Sequence, residues 1–370
     1  MGLSIAYGPD TRLEFSWNEV TGAVGDTVTV LPIVVAVAVL TELSLAVMLI
    51  WFGAFQVVWG LHFGAPISVE PMKALAALIL AGTISTGEFL VAGLLLGGIL
   101  LLIGTTGTIR RLQHLLGPPV VRGIQLAVAL LLLETGVRIG VGDPWLAGVA
   151  LLVAVPMIVR GHVDSSAMLV LVAGGVIALY HVGLPAPQLP STEGTLLFGR
   201  GDLSVPAVEA TVAQLAMTLG NACLAASVLL SDYYDRDVSA DKLSSSMGVM
   251  NLVAVPFGAL PMCHGSGGIA GKYAFGARTA GSNVILGVGY VLAAVFAVGL
   301  LVAYPIAMLG VILVIIAAQL GYTSLERADE YWIVIGIALL GVLVNLGIAL
   351  LVGVLAYVIR GRLYGDHHNR

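Results

Sequence analysis

The sequence predicts an all-α polytopic membrane protein built as an inverted repeat, with two discontinuous half-helices meeting inside the bilayer. Composition is the first reason: hydrophobic residues make up 59 % of the 370, charged residues 10 %, and mean hydropathy is +1.03. A soluble domain carries about 25 % charged residues. The second reason is a near-repeat. Phe63-Gly64-Ala65-Pro66, followed by Glu70-Pro71-Met72-Lys73, recurs 194 positions later as Phe257-Gly258-Ala259-Leu260-Pro261, followed by His264-Gly265-Ser266-Gly267-Gly268. Gly- and Pro-broken segments at matching places in two apolar halves mark solute or ion sites near the bilayer midplane.

The spans can be placed in order. Apolar stretches at 27–40, 89–104, 124–133, 145–159, 167–180, 284–303, 306–319 and 331–359 supply the material, a full span needing about 20 residues. Several are too short or too long for one helix, so roughly 12 to 14 passes are expected, some of half length. No basic region precedes the first apolar run, so the first helix is expected to act as the insertion signal and not as a cleaved leader. Two further landmarks keep the order of the repeat: Gly25-Asp26 matches Gly220-Asn221 at an offset of 195, and Pro119 matches Pro305 at 186. Seven spans in each half is an odd number, which turns the second half upside down relative to the first.

Loop charges orient the chain. Arg110, Arg111, Arg122, Arg160, Lys242, Arg278, Arg360 and Arg362 fall on one side of a fourteen-pass topology. The positive-inside rule makes that side the cytoplasm, with both termini there. Between the halves, Ser191 to Asp202 is rich in Pro, Gly and Ser, carries only Arg200 as a basic residue, and reads as an outward linker. The expected layout is a first repeat at 15–183, a linker at 184–203, a second repeat at 204–360 and a cytoplasmic tail at 361–370. A multi-pass protein of the plasma membrane is expected, and the net charge of −5, spread over loops, points to no nucleic-acid partner.

The chemistry follows from what a broken helix exposes. A chain that enters extended and turns helical at mid-membrane leaves its first N–H groups without intrahelical partners, and lipid cannot satisfy them. Pro71 suits a first helical position, and the preceding Pro66-Ile67-Ser68-Val69 should be extended. Gly265, Gly267 and Gly268 let the backbone of the second copy approach a ligand, as at an anion nest. Each half-helix start contributes roughly +0.5 elementary charge. Lys73, one of three lysines in the chain, adds a full unit, and a dianion would balance the sum.

Each polar residue also has a plainer reading. Lys73 could snorkel to the interface, although intramembrane ionisable groups are functional by default. Asp26 could be a helix cap, or a site carboxylate that positions Lys73 or takes up a proton; Glu70 would repel an anion if ionised and is a second proton-coupling candidate. Glu134 and Arg138, four apart, read as an ion pair on one helix face. His62 and His264 are more ordinary as hydrogen-bonded side chains near helix ends. Gly93 and Gly97 read as close helix packing, and Cys223 and Cys263 as small buried hydrophobes. No metal cluster or cofactor motif is visible. The run Ser266-Gly267-Gly268-Ile269-Ala270-Gly271-Lys272-Tyr273 fails as a phosphate loop, because Ser266 replaces the first glycine and Tyr273 the required Ser or Thr. No nucleophile or di-carboxylate spacing suggests an enzyme.

Three motifs carry a family resemblance. Gly22-Ala23-Val24-Gly25-Asp26-Thr27, Pro71-Met72-Lys73-Ala74, and the stretch Ser245 to Gly276 with Gly248-Val249-Met250-Asn251-Leu252 and Phe257 through Gly271 resemble the molybdate transporter family of the sulfate permease superfamily, over about residues 13 to 360. The resemblance implies seven plus seven inverted helices split into a core domain (15–105 and 204–302) and a gate domain (118–183 and 303–360) that move as an elevator. It implies molybdate as cargo, with sulfate the close rival, coupled to a proton or sodium ion, and a possible homodimer. The expected binding set is Lys73, Ser68, Met72, Gly265, Ser266, Gly267, Gly268, Asp26, Asn221 and His264, with Glu70 and Asp26 as proton carriers. Two positions depart from the family pattern: Glu70 stands where Gln is usual, and Thr27-Val28 where a Leu-Gly pair is usual. An anion channel, or a sensor that binds without transporting, is the alternative from another class.

Overall fold

The computed structural model describes residues 3–8, 11–109, 111, 117–187, 203–296, 298–326, 328 and 330–364. Fourteen helices are described, seven in each half. The first seven are α1 (Trp17–Leu40), α2 (Leu45–Phe63), α3 (Lys73–Leu80), α4 (Thr86–Thr106), α5 (Pro118–Val141), α6 (Pro144–Val159) and α7 (Val163–Val182). The second seven are α8 (Val205–Tyr234), α9 (Ala240–Ala254), α10 (Ser266–Ala274), α11 (Gly281–Phe296), α12 (Ile306–Glu326), α13 (Tyr331–Leu343) and α14 (Leu346–Tyr364). Among the described residues, α2, α4, α5, α7, α8 and α12 have the length and hydropathy of full spans. α1 makes a seventh and is bent by 43° near Thr29. Pro32 lies inside it and cannot donate to the carbonyl of Val28 one turn earlier. The expected linker at 184–203 and tail at 361–370 fall mostly outside the described residues, as do Arg110 and Arg200.

Two short sheets accompany the helices. A hairpin of β1 (Leu3–Gly8) and β2 (Thr11–Phe15) precedes α1, and the sequence reading missed it. The other sheet joins the halves. β3 (Glu70–Pro71) runs antiparallel to β4 (Met262–Cys263), Glu70 opposite Cys263 and Pro71 opposite Met262.

Packing shows the inverted repeat directly. α2 packs on α11 while its repeat mate α9 packs on α4, so each pairing has its mirror in the other half; α5 packs on its own mate α12. Small residues make these approaches possible. A Cβ at Gly97 would lie 3.0 Å from Leu252 and one at Gly93 2.6 Å from Pro261, which confirms the packing role read for both. At the α5–α12 crossing, Gly136 and Gly310 face each other's carbonyl oxygens, as small-residue contacts do where lipid supplies no hydrophobic drive.

Glu134 and Arg138 are both exposed, and among the described residues the ion pairs do not include them. Exposed i,i+4 pairs are worth only about 0.3–0.5 kcal/mol, too little to fix two long side chains. Cys223 and Cys263 are free thiols, both buried.

Candidate anion site

The two broken segments have the same local design. α2 ends on Gly64 at φ 62° and the short 3-10 turn after α9 ends on Gly258 at φ 80°, a left-handed cap that glycine adopts without a Cβ penalty. The chain then runs extended to β3 or β4 and turns helical again. Met72 caps α3 at φ −69°, ψ 100°, and Gly265 caps α10 at φ −72°, ψ 122°. Pro71 is therefore not the first helical residue, as expected from sequence, but belongs to the strand two positions before it. Its missing N–H still costs nothing, because the Met72 N–H makes the cross-strand bond, donating to Pro261 O at 2.9 Å. Asn251 clamps the opposite strand from both sides, donating to Met262 O at 2.8 Å and accepting from Met262 N at 2.7 Å.

Side chains from elsewhere in the fold, one on a helix and one on a strand, occupy the amides at the half-helix starts. Gln214 Oε1, from α8, accepts from Ala74 N at 2.8 Å and Leu75 N at 3.3 Å. At the other half-helix, Glu70 Oε1 accepts from Gly268 N at 2.6 Å, and Glu70 Oε2 lies 2.9 Å from Lys73 Nζ. A carboxylate of the protein thus sits on a helix start and against the site lysine, the two features that favour an anion there. Gly268 has no room for a Cβ, which would run into Asp26, Ser68 and Glu70.

Asp26 is fully buried on α1, but it does not position Lys73. Ser68 Oγ donates to its Oδ1 at 2.5 Å, Gln56 Nε2 donates to its Oδ2 at 2.7 Å, and Lys272 Nζ lies 3.2 Å from Oδ2. Ser68 Oγ is also 3.3 Å from Glu70 Oε1, so one hydroxyl bridges two carboxylates, each with its own lysine. The expected sum of about two positive charges is corrected accordingly: Glu70 formally neutralises Lys73, leaving the two half-helix starts at roughly +0.5 each, and Lys272, which was not counted, is matched by Asp26.

The remaining expected site residues divide into inner and outer members. Met72 is fully buried with its amide committed to the strand. His264 is also fully buried, Nε2 at 2.7 Å from Ser246 Oγ and Nδ1 at 2.9 Å from Ser68 O; it holds the crossover that carries Ser68. Lys73 keeps 21 % of its side-chain surface, Ser266 is half-buried and Gly267 exposed. Ser266 Oγ donates to Asn221 Oδ1, and Asn221 lies in a π-helical turn of α8, Thr218–Ala225, a wide turn common at functional sites. Ser266 also lines a cavity of about 810 Å³, bordered by Leu224, Ala225, Ser227, Asp237 and Asp241, that leads to the first turn of α10.

Sequence reasoning missed Lys272, Gln56, Asn283 and Gln214. Lys272 was legible as one of only three lysines, six residues past Ser266 in an apolar half. The three amides carried no signal, since a lone Gln or Asn in an apolar helix is not informative until its partner is known.

An inverted repeat of seven and seven helices, with two half-helices crossing between the halves, defines a membrane-carrier fold. Solved structures share it. The transmembrane domain of the cyanobacterial bicarbonate transporter BicA superposes with a TM-score of 0.69 at 17 % identity, covering 90 % of this chain and 97 % of that one. Murine Slc26a9, an anion transporter in its inward-facing state, superposes at 0.67 with 13 % identity, covering 97 % of this chain and 70 % of that one.

The sequence comparisons are more specific. A family profile described as "Molybdate transporter of MFS superfamily" matches residues 18–132 and 206–320, one stretch in each half. Molybdate transporter 2 of Arabidopsis thaliana is 29 % identical over 85 % of this chain and 80 % of its own length; Molybdate transporter 1 of the same plant is 30 % identical over 83 % and 79 %. Molybdate transporter 1 of Chlamydomonas reinhardtii is 25 % identical over 93 % and 91 %. The chain belongs to the molybdate transporter family. Its fold is not the pair of six-span halves of the major facilitator proteins named in that description, but the seven-plus-seven arrangement of BicA and Slc26a9.

Proposed function

We propose that the protein is a secondary active transporter of a tetrahedral oxyanion, molybdate before sulfate, that couples uptake to protons through Glu70. The observation that carries this reading is the placement of the Glu70 carboxylate on Gly268 N and beside Lys73. There an internal anion holds the position that a substrate oxyanion would take. Protonation of Glu70 would break the ion pair to Lys73 and weaken the bond from Gly268 N to that of a neutral acceptor, so that an incoming anion could displace it. The incoming dianion would then meet Lys73, Ser68, Gly265, Ser266, Gly267 and the Gly268 amide, with Asn221 bordering from α8 and Asp26 as the inner carboxylate. Met72 and His264 would support the site from behind. The plant relatives, named as molybdate transporters, favour molybdate, although sulfate and tungstate would be held by the same donors.

Movement is proposed as an elevator. The α2–α11 and α4–α9 pairs would form the carrying body, 15–105 with 204–302. The α5–α12, α5–α13 and α7–α12 contacts would form the gate, 118–183 with 303–360. The cavity leading to Ser266 is lined by Ile109 and Asp241, chain neighbours of Arg111 and Lys242; the positive-inside rule assigns those two to the cytoplasmic side, and on that reading this conformation is inward-open in the plasma membrane.

The test is labelled molybdate uptake by the purified protein in liposomes, with competition by tungstate and sulfate. The proposal expects saturable uptake, faster with acid outside and competed more strongly by tungstate than by sulfate. Uptake that rises without saturation would mean a channel, and stronger competition by sulfate would reassign the cargo.

A further inference from the structure

Lys272 is fully buried, and the anion-binding proposal gives it no direct part. Its ammonium is nevertheless closely surrounded by polar groups. Four oxygens from four separate segments converge on Nζ: Ile67 O at 2.7 Å, Gln56 Oε1 at 3.0 Å, Asn283 Oδ1 at 3.0 Å and Asp26 Oδ2 at 3.2 Å. An ammonium has three protons to donate, so the cage offers more acceptors than the lysine needs. One carboxylate, two side-chain amides and one backbone carbonyl form the all-oxygen donor set that hard cations take. The cage is also internally braced. Asn283 Nδ2 donates to Gln56 O at 2.9 Å, and lies 2.7 Å from both Gln56 Oε1 and Ile67 O.

We propose that Lys272 is a tethered cation: its ammonium permanently fills an alkali-cation cage built from Asp26, Gln56, Ile67 and Asn283, so that this protein assembles and turns over its site without sodium or potassium. The cage joins α1, α2, the Pro66–Val69 crossover and α11 to α10, and it fixes the two groups next in line. Asp26 holds Ser68, and Ser68 lies against Glu70. Lys272 is thus a positioning residue for the anion site, acting through Asp26. A packing role alone does not require it, because a buried ion pair is often replaceable by apolar side chains without loss of stability. Removing only the lysine leaves an anionic oxygen cage that a free monovalent cation can enter.

The test compares the full-length wild type, Lys272→Ala and Asp26→Asn/Lys272→Met in detergent and in liposomes. The medium contains sodium chloride, potassium chloride or N-methylglucamine chloride. Wild type should melt at the same temperature in all three salts and take up molybdate at rates within about twofold, since no mobile ion contributes. Lys272→Ala should melt several degrees lower in N-methylglucamine. It should recover by roughly 4 °C at a hundredfold excess of the alkali ion it accepts, and its uptake should become dependent on that ion. The double variant, with neither charge, should be indifferent to the salt.

The inference is overturned if wild-type uptake requires sodium or potassium, or if Lys272→Ala responds to neither ion. Failure of Lys272→Ala to fold even at saturating sodium or potassium overturns it as well, because an empty cage of this kind must accept the ion. Only the uptake arm rests on the transport reading. Wild-type vesicles that take up no molybdate under any gradient would refute that reading, while the melting comparison would still decide the cage.

Discussion

Replacing Glu70 by Gln is the most informative single change, because it keeps the shape of the contact and removes its charge. The amide oxygen can still accept from Gly268 N, now 2.6 Å from the carboxylate, while Lys73 loses the partner at 2.9 Å. Two effects follow for an incoming dianion. It no longer competes with a charge-assisted bond, which is worth about twice a neutral one, a difference of roughly 1 kcal/mol. It also escapes repulsion by a carboxylate that would otherwise stand beside it, on the order of 1–2 kcal/mol after screening by Lys73. Each 1.4 kcal/mol is tenfold in affinity, so the combined effect of about 2–3 kcal/mol means that Glu70→Gln should bind molybdate roughly 30- to 150-fold more tightly near neutral pH.

The sign of the pH effect follows from the same exchange. In the wild type, binding and uptake should strengthen as the pH falls, since protons displace the internal anion; in the variant both should be flat. Calorimetric titration of purified protein at two pH values reads the affinity, and liposome uptake with and without a pH gradient reads the coupling. Glu70→Gln should exchange molybdate across the membrane yet fail to accumulate it against a gradient. An affinity no tighter than wild type, or uptake by the variant that keeps its pH dependence, refutes the reasoning.

Gly268→Ala should lower the folded yield and abolish molybdate binding by the protein that does fold, because the new methyl displaces the Asp26, Ser68 and Glu70 groups around it; a binding titration of the folded fraction that matches wild type would show that this turn does not shape the site. Gln214→Ala leaves the Ala74 and Leu75 amides without their side-chain acceptor. It should lower the stability of the purified protein by about 1–3 kcal/mol, read as a falling melting temperature. Gly97→Leu should separate α4 from α9, since even a Cβ would lie 3.0 Å from Leu252, and should reduce folded yield far more than Gly98→Leu, where a Cβ meets nothing within 4 Å.

Much of this architecture was readable before any coordinates. The paired Phe-Gly-Ala motifs marked where both segments break, and the spacing that follows them located both half-helix starts to within two residues, because glycine and proline punctuate regular backbone geometry locally; that the breaks are left-handed glycine caps is seen only in the structure. Lys73, Glu70 and the Ser266–Gly268 turn were recognisable for the same reason: each is improbable inside an apolar run unless the backbone there is special. What could not be read was partnership. Asp26 chose Lys272 over Lys73, and Gln214 and Glu70 took helix starts that the charge count had left for a ligand. Those contacts span 140 to 246 positions of the chain, and no local pattern encodes which of two lysines a buried carboxylate will face. The N-terminal hairpin escaped notice because its alternation lies in a short polar segment beside a far stronger apolar signal.

The most direct test of the central claim is a structure of the protein with bound tungstate, whose scattering makes the anion unmistakable. The account requires the metal centre between Lys73 Nζ and the Ser266–Gly268 turn, oxygens within hydrogen-bonding reach of both, and the Glu70 carboxyl withdrawn from Gly268 N. An anion lodged elsewhere, or Glu70 still on that amide with the anion bound, would contradict it.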